Sequence, residues 1–408
     1  MRFLAFFIFL FYSALGFAQC FGPQIRAINL PLIYGKPDTS VYMYKRVQGT
    51  NPTYPTVIVL PGGPGQSSIQ QSGFFPMGAI PKEYSRILTD PRGAGCNSNF
   101  KNVFSYNTQT LAADILQIIK TENLQNYIIY GASYGTYLAT VTASHVEKTR
   151  LPAPKAVVLE GVIGKSFDGF APYMLAFSNE WERVKRSLPG NWPQRLSKTG
   201  KLPLGYSSEQ WGMFISSQLI LGDIPTPPVS GHILNYLLKI LDRYEDLKAK
   251  NQLDQLTSQE VASLKYINSQ MAIGTSSLLF RSIACNELWG SWQEGRLLTE
   301  GKLFSYGNNV CSLRMYQKYD SRAYQIKAPV YYFQGPFDPA TPVAGAQYHF
   351  SNQLATKKTF VLVESASHAP LTAGLSTCAP SVWSAISGLT SVGNAFRKCP
   401  RKVKVVVK

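Results

Sequence analysis

Short apolar runs, separated by loops and by helical patterns, recur through the first 160 residues of the chain. Four of these runs predict buried strands, at 56–60, 85–89, 127–130 and 156–159. Before the third run, Leu111, Ile115, Ile118 and Ile119 recur at the spacing of an amphipathic helix. The alternating segment 26–44 predicts an opening antiparallel hairpin. Strands that alternate with helices are typical of an α/β fold, with a mostly parallel sheet covered by helices on both faces.

The pattern changes after about residue 164, where strand-like runs give way to helical ones. These helical patterns lie at 213–221, 232–250 and 258–269. Apolar strand-like runs resume at 329–333 and 359–363. We therefore predict a core formed by residues 19–164 and 328–408, with a helical cap inserted at 165–327. At the end of the chain, Lys alternates with Val over 402–408, which is typical of an edge strand protected by charge.

The third strand runs directly into Gly131-Ala132-Ser133-Tyr134-Gly135. Glycines two residues before and two after a serine allow a tight turn from a strand into a helix, which projects the serine hydroxyl. The helix start also leaves the backbone N–H of Tyr134 available for a developing oxyanion. Ser133 is therefore a candidate nucleophile, and a purely structural turn is the alternative.

A serine hydroxyl needs a histidine to take its proton and a carboxylate to orient that histidine. Three of the four histidines, His145, His232 and His349, fall in helical patterns, whereas His368 follows the 359–363 strand. Asp338 follows the preceding strand, in a Pro-rich loop where a turn or helix-capping role is the alternative. The order Ser133, Asp338, His368 matches the order of α/β-hydrolase triads. Glu364 is the second choice of carboxylate.

The loop Pro61-Gly62-Gly63-Pro64-Gly65 follows the first strand, where such a sheet needs its second oxyanion donor. We predict that the backbone N–H of Gly63 acts together with that of Tyr134. A phosphate-binding loop is the alternative, but no Lys-Ser or Lys-Thr pair follows the glycines.

Three motifs of the chain resemble the proline iminopeptidase and tripeptidyl aminopeptidase group of α/β-hydrolases. They are Pro61-Gly62-Gly63-Pro64-Gly65, Asp90-Pro91-Arg92-Gly93-Ala94-Gly95 and Gly131-Ala132-Ser133-Tyr134-Gly135-Thr136. Asp338 with Thr341-Pro342, and His368 with Cys378 and Cys399, are similar to the secreted tripeptidyl branch of this group. The segment Ile283-Ala284-Cys285-Asn286-Glu287 is similar to that branch as well.

This resemblance implies an α/β-hydrolase fold and a serine exopeptidase that removes residues from a free N-terminus. Ser133, Asp338 and His368 would be its triad, and the expected substrates are short peptides with a free N-terminus. Proline iminopeptidases usually carry His where this chain has Pro61, which favours the tripeptidyl branch. Arg92 is expected to brace loops by bonding to backbone carbonyls.

An exopeptidase must recognise an α-ammonium group, which carboxylates bind by charge-assisted hydrogen bonds. By resemblance, Glu287 with the nearby Trp289 is the candidate substrate-binding pair, and a glutamate on a helix surface is the alternative. Glu180 and Glu182 are weaker candidates.

The formal charge is +17, from 40 Lys and Arg against 23 Asp and Glu. The basic residues are scattered and no nucleic-acid fold signature accompanies them, so we expect no nucleic-acid partner. Arg2 followed by the apolar run 3–17 and by small residues predicts a signal peptide over 1–18. We therefore expect an exported protein, periplasmic or secreted, with no stable membrane anchor after cleavage.

Six cysteines follow the predicted cleavage point, and an even number in an exported chain predicts disulfides. Fifteen connectivities are possible. Sequence proximity favours Cys285–Cys311 and Cys378–Cys399, which leaves Cys20–Cys96. No Cys-x-x-Cys pair is present, so neither a metal site nor a cofactor is expected.

Two other functions are consistent with the same residues. The first is an esterase or another acyl hydrolase, because one triad and cap serve many reactions. The second is a catalytically inactive hydrolase fold used for binding, whose usual mark is a missing triad residue. Cleavage of free-amine peptides that is lost on acetylation separates a peptidase from an esterase.

Overall fold

The computed structural model describes residues 20–69, 80–198, 202–224, 231–271, 278–289, 295–305, 311, 317–364, 366–375, 377–397, 399 and 403–408. The predicted signal peptide lies outside these residues.

Thirteen strands are formed by the described residues. They are β1 (Ile25–Pro31), β2 (Thr39–Val47), β3 (Thr56–Leu60), β4 (Arg86–Thr89), β5 (Tyr127–Ala132), β6 (Ala156–Glu160), β7 (Asp223–Ile224), β8 (Gly231–His232), β9 (Arg296–Thr299), β10 (Lys302–Ser305), β11 (Val330–Gln334), β12 (Lys358–Val363) and β13 (Val403–Val407). Nine of them form one sheet in the order β1-β2-β4-β3-β5-β6-β11-β12-β13. Six consecutive strands are parallel to one another, namely β4, β3, β5, β6, β11 and β12. The remaining strands lie at the two edges and pair antiparallel, β1 and β2 at one edge and β13 at the other.

Eleven helices accompany these strands. They are α1 (Thr108–Thr121), α2 (Tyr134–Val146), α3 (Ala171–Lys185), α4 (Trp192–Leu196), α5 (Ser208–Leu221), α6 (Ile233–Ala249), α7 (Ser258–Gln270), α8 (Leu278–Ile283), α9 (Val343–Asn352), α10 (Ala379–Ile386) and α11 (Val392–Ala395). The opening hairpin, the charged edge strand β13 and the three helical patterns after residue 164 are all found near their predicted positions.

The sheet has a hydrophobic core on each face because successive strand residues point to opposite sides. In β3, Ile58 and Leu60 pack in the cluster that includes α1 and α2. Val57 and Val59 pack on the other face, in the cluster that includes Trp383 of α10. These two layers confirm the predicted mostly parallel sheet with helices on both sides.

Helices α3 to α7 have a hydrophobic cluster of their own, built around Trp181, Trp192 and Trp211. Leu298 and Leu303, from the hairpin of β9 and β10, pack into the same cluster. The limits of the cap at residues 165 and 327 remain a prediction.

Three disulfides join Cys20 to Cys96, Cys285 to Cys311, and Cys378 to Cys399. The pairing that sequence proximity favours is therefore confirmed. Within the part of the chain that the structure describes, no helix is both long and apolar enough to cross a bilayer.

Candidate active site

Ser133 lies at the turn between β5 and α2, in the centre of the sheet. Its backbone angles are φ 55° and ψ −124°, a conformation that non-glycine residues rarely adopt. A Cβ on Gly131 would stand 2.1 Å from the carbonyl oxygen of Gly135, and a Cβ on Gly135 would stand 2.2 Å from that of Leu60. Both glycines of the motif are therefore needed for the close approach of backbone segments that forms this turn.

Asp338 and His368 lie on the loops that follow β11 and β12, and they are hydrogen-bonded to each other. Nδ1 of His368 is 2.9 Å from Oδ2 of Asp338. The other carboxylate oxygen, Oδ1, accepts the backbone N–H groups of Ala340 and Thr341, both at 2.9 Å. The Thr341 hydroxyl donates to Oδ2 at 2.6 Å. The Asp338 carboxylate is thus buried and fixed from several sides, as an orienting group for a histidine requires.

The His368 ring lies against the end of β6, the strand next to β5. A Cβ on Gly161 would stand 2.9 Å from both Cε1 and Nδ1 of His368. The residue before Gly161, Glu160, accepts the backbone N–H of Ser133 through its carbonyl at 2.8 Å. The structure therefore brings the predicted nucleophile, base and orienting carboxylate to the carboxyl ends of β5, β11 and β12.

The charge environment of His368 favours its protonated form. Burial acts to lower its pKa, but the charge of Asp338 and its hydrogen bond, with a smaller contribution from Glu160, raise the pKa above its ordinary value. A base of raised pKa accepts a hydroxyl proton more readily than an ordinary histidine does.

Glu160 is a second buried carboxylate beside this histidine, and the sequence analysis did not select it. Its Oε1 accepts the backbone N–H groups of Leu371 and Thr372 at 2.8 and 3.0 Å. Its Oε2 accepts the hydroxyl of Tyr130. Burial raises the pKa of Glu160. The signal in the sequence was its place directly at the end of the 156–159 run, one strand away from the nucleophile.

The predicted oxyanion loop passes directly beside the nucleophile. A Cβ on Gly62 would stand 3.1 Å from Cβ of Ser133. The next residue, Gly63, has φ 107°, which suits glycine alone. Tyr134 is the first residue of α2, a position whose N–H has no carbonyl four residues earlier within the helix.

Asp90, at the end of β4, anchors the residues that follow this loop. It accepts the hydroxyl of Ser67 at 2.7 Å and the backbone N–H of Ile69 at 3.0 Å. It also accepts the N–H of Cys96 at 2.9 Å, next to a disulfide. Asp90 thereby connects the loop to the Cys20–Cys96 disulfide, which holds the N-terminal part of the chain.

Glu287 is buried, with 1% of its surface exposed. Its two oxygens accept the backbone N–H of Thr108 at 3.0 Å and the Thr108 hydroxyl at 2.5 Å. The Thr108 hydroxyl also lies 2.8 Å from the hydroxyl of Tyr134, the residue after the nucleophile. Burial raises the pKa of Glu287. Trp289, two residues on, packs against the ring of Phe167 with centroids 4.4 Å apart.

Arg92 has the bracing contacts that were expected of it. Its Nη1 donates to the carbonyls of Pro31 and Leu32, at 2.7 and 3.0 Å. Arg92 also forms an ion pair, not predicted from the sequence, with the buried Asp114, whose two oxygens accept from Nε and Nη2 at 2.6 Å. The second-choice carboxylate Glu364 is 3.9 Å from Lys404 at the strand edge, and Asp338 is the one bonded to His368.

The end of α5 contacts the loop that carries His368. The Ser367 hydroxyl donates to the carbonyl of Leu219 at 3.0 Å, and the His368 N–H donates to that of Ile220 at 3.4 Å. A Cβ on Gly222 would clash with Ser367 at 2.3 Å. The helical region thus packs directly on the loop of the candidate base. Within the described residues, no group of three or more His, Cys, Asp or Glu could hold a metal ion.

Residues 55–208 match a family model described as the alpha/beta hydrolase fold. The chain is 29% identical over 144 residues to the proline iminopeptidase of Neisseria gonorrhoeae, covering 35% of this chain and 42% of that protein. It is 32% identical over 152 residues to the proline iminopeptidase of Xylella fastidiosa strain Temecula1, covering 36% and 43%. The chain thus aligns with less than half the length of these relatives. A solved proline iminopeptidase from Mycobacterium smegmatis is 12% identical, with a TM-score of 0.46 over 89% of this chain and 98% of that one.

The sheet order and the match of residues 55–208 together show that the protein has the α/β-hydrolase fold. Within that class its sequence is similar to the proline iminopeptidase group, so the resemblance predicted from the three motifs is confirmed.

Proposed function

We propose that the protein is an exported serine aminopeptidase that releases N-terminal residues, proline or short peptides, from small peptides. The observation that carries this proposal is the 2.9 Å bond between Asp338 and His368 beside the strained turn of Ser133. The similarity to proline iminopeptidases favours a peptide bond as the bond that is cleaved.

In the proposed mechanism, His368 uses its second ring nitrogen, Nε2, as the base, because Nδ1 faces Asp338. Nε2 takes the hydroxyl proton as Oγ of Ser133 attacks the carbonyl carbon. The backbone N–H groups of Gly63 and Tyr134 stabilise the resulting oxyanion. The imidazolium then gives its proton to the leaving amine, and the C–N bond breaks to leave an acyl-enzyme. A water molecule, deprotonated by His368, hydrolyses the ester and restores Ser133.

Glu287 and Trp289 are proposed to receive the N-terminal end of the substrate. Glu287 belongs to a hydrogen-bonded chain that passes through Thr108 to Tyr134, one residue from Ser133. Burial raises the pKa of Glu287, and a bound α-ammonium group would favour its ionised form by a charge-assisted hydrogen bond. Binding there has to compete with the two hydrogen bonds from Thr108.

Export is supported by the three disulfides, which persist in oxidising compartments such as the periplasm or the extracellular medium. It also rests on the predicted signal peptide.

The test is hydrolysis of fluorogenic Pro-, Ala- and Ala-Ala-Pro-type amides, each with a free and an N-acetylated amine. An aminopeptidase cuts the free amines, and Ser133→Ala abolishes the cleavage. Equal cleavage of acetylated amides or of simple esters would overturn the exopeptidase assignment. Glu287→Gln is expected to raise KM for the free amines, whereas the matched change Glu300→Gln, at an exposed position between β9 and β10, should leave it unchanged.

A further inference from the structure

Exposed lysines follow one another along one edge of the sheet, at the amino ends of three parallel strands. Lys155 directly precedes β6, and Lys327 lies shortly before β11, where its carbonyl accepts the N–H of Thr356. Lys357 directly precedes β12. Its neighbour Lys358 is paired with Lys408, each accepting the other's N–H, at 2.8 and 2.9 Å.

We call Lys155, Lys327, Lys357 and Lys408 the lysine edge. The strands β6, β11, β12 and β13 are consecutive neighbours in the sheet. Because neighbouring strands lie about 4.8 Å apart, the four lysines extend over roughly 15 Å.

The charges of the lysine edge are not neutralised within the described part of the chain. All four side chains are exposed, and none of them forms an ion pair with a described residue. Of the residues that these contacts place at the edge, Glu147 carries a carboxylate, which accepts the backbone N–H of Lys327. Glu147 is followed by two more exposed cations, Lys148 and Arg150.

The ammonium group of Lys408 lies 5.3 Å from the centroid of the Phe350 ring, and that of Lys358 is hydrogen-bonded within the fold. It donates to the carbonyls of Phe350 and Gln353 at 2.8 and 2.7 Å, at the end of α9. Burial and the charge of Lys408 lower the pKa of Lys358. Several positive charges therefore lie close to one another at the lysine edge.

Two apolar side chains stand exposed among these lysines. Leu354, in the loop between α9 and β12, is 76% exposed, and Val407, beside Lys408, is 53% exposed. Exposed apolar side chains flanked by lysines suit the interface of an anionic membrane, where both kinds of group gain contacts. Sequence-independent binding of single-stranded nucleic acid uses exposed aromatic side chains for stacking, and the lysine edge contributes none.

The lysine edge and the candidate active site lie at opposite ends of the same strands. Ser133, Asp338 and His368 follow the carboxyl ends of β5, β11 and β12. At the other end of the sheet, Lys155, Lys327 and Lys357 precede β6, β11 and β12, and Lys408 follows the antiparallel β13. A strand of five or six residues at about 3.3 Å each separates the two by roughly 17–20 Å.

We propose that the lysine edge docks the protein on an anionic lipid membrane surface with the active site directed away from the bilayer. The docking is peripheral and electrostatic, so it weakens as salt rises. It holds whether or not the protein is an aminopeptidase, because none of its residues belongs to the candidate site.

The test is co-sedimentation of the protein with vesicles of phosphatidylglycerol and phosphatidylcholine, and with vesicles of phosphatidylcholine alone. The edge variant carries Lys155→Gln, Lys327→Gln, Lys357→Gln and Lys408→Gln. The matched control removes four exposed lysines of the helical region, by Lys198→Gln, Lys239→Gln, Lys248→Gln and Lys302→Gln, so both variants have the same net charge.

The wild type is expected to bind the anionic vesicles at low salt and not the neutral ones. The edge variant should bind roughly 700-fold more weakly, given the contribution of each of its four lysines near such a surface, and the control should bind nearly as well as the wild type. A third variant with Arg at the four edge positions should retain binding, which separates loss of charge from damage to the fold.

Equal weakening in both Gln variants would overturn the proposal, because total charge and not the lysine edge would then be responsible. Absence of vesicle binding by the wild type would overturn it too. A wild type that binds duplex DNA more tightly than vesicles, with the same loss in the edge variant, would replace the membrane by nucleic acid as the partner.

Discussion

The carbonyl of Glu160 accepts the backbone N–H of Ser133 at 2.8 Å, while the carboxylate of the same Glu160 binds the segment that follows His368. One residue at the end of β6 therefore connects the turn of the candidate nucleophile to the loop of the candidate base. A change at Glu160 should affect the geometry and the charge of the site together.

Glu160→Gln is expected to lower the pKa of His368, because a negative charge that favours the imidazolium is removed. Since the base must be neutral to act, the acid limb of kcat/KM should move to lower pH. The amide oxygen can still accept from Leu371 and Thr372, but the amide nitrogen replaces the oxygen that accepts the Tyr130 hydroxyl. We therefore expect a loss of about 1–3 kcal/mol in the free energy of unfolding. A pH profile of kcat/KM measures the first effect, and Glu300→Gln, at an exposed position between β9 and β10, is the control. An acid limb that stays in place, or moves to higher pH, would show that Glu160 does not influence the base.

Asp338→Asn should reduce kcat by about 10³- to 10⁴-fold, because an amide no longer holds His368 in the tautomer that accepts a proton at Nε2. The hydrogen bonds from Ala340 and Thr341 can persist to the remaining oxygen, so the fold should survive. Steady-state kinetics with a cleaved amide measures the change. Glu364→Gln, at the second-choice carboxylate, is expected to leave kcat within about twofold. A larger loss of kcat in Glu364→Gln than in Asp338→Asn would identify Glu364 as the orienting carboxylate.

Gly135→Ala should prevent formation of the nucleophile turn, because its Cβ would meet the backbone carbonyl of Leu60 at 2.2 Å. Backbone cannot move aside as a flexible side chain can, so we expect at least 2–3 kcal/mol of destabilisation, as for other forced overpacking. Gly393→Ala in α11 is the matched control, since its Cβ meets nothing within 4 Å. Thermal melting of the two variants measures the difference. Equal melting temperatures for both would contradict the close packing found at this turn.

The sequence was sufficient to predict those parts of the site whose information is local. Gly131, Ser133 and Gly135 lie within five residues, and with the apolar run 127–130 directly before them they predict a strand-to-helix turn. Asp338 and His368 could be selected because each follows an apolar run whose carboxyl end a parallel sheet brings to the same edge.

Contacts between distant segments could not be predicted in this way. The bond from Leu371 to Glu160 spans 211 residues, and the bond from Thr108 to Glu287 spans 179. The packing of α1 and α2 against the segment around Glu287 removes that carboxylate from water, and no periodicity in the sequence predicts that packing. The contact of α5 with the His368 loop could not be predicted from the sequence for the same reason.

His349 is expected to destabilise the fold in acid. It is buried, with Nε2 2.9 Å from the Thr140 hydroxyl and Nδ1 3.0 Å from that of Tyr332. Burial, with the charge of Lys358, lowers its pKa to about 3. Between the ordinary value of about 6.5 and pH 3, the unfolded chain binds a proton that the folded chain does not bind. Stability is therefore present above pH 6.5 and is lost as pH falls below it, by up to about 1.4 kcal/mol per pH unit for this group.

Urea unfolding at pH 7, 6 and 5 tests this contribution, with His349→Gln as the comparison. The variant should be less stable at pH 7, because two hydroxyl partners lose a well-placed imidazole. From pH 6 to pH 5, the free energy of unfolding should fall less in the variant than in the wild type, by up to about 1.4 kcal/mol. Parallel pH dependences in the two proteins would show that His349 is not held neutral.

The most direct test of Ser133 as the nucleophile is labelling with a fluorophosphonate, followed by intact-mass measurement and peptide mapping. The reagent bonds covalently to an activated serine hydroxyl, so one adduct on Ser133 is the predicted result. Ser133→Ala should abolish the adduct, and Ser269→Ala, on the exposed surface of α7, should leave it unchanged. An adduct that maps to another residue, or that persists in Ser133→Ala, would contradict the assignment of the site.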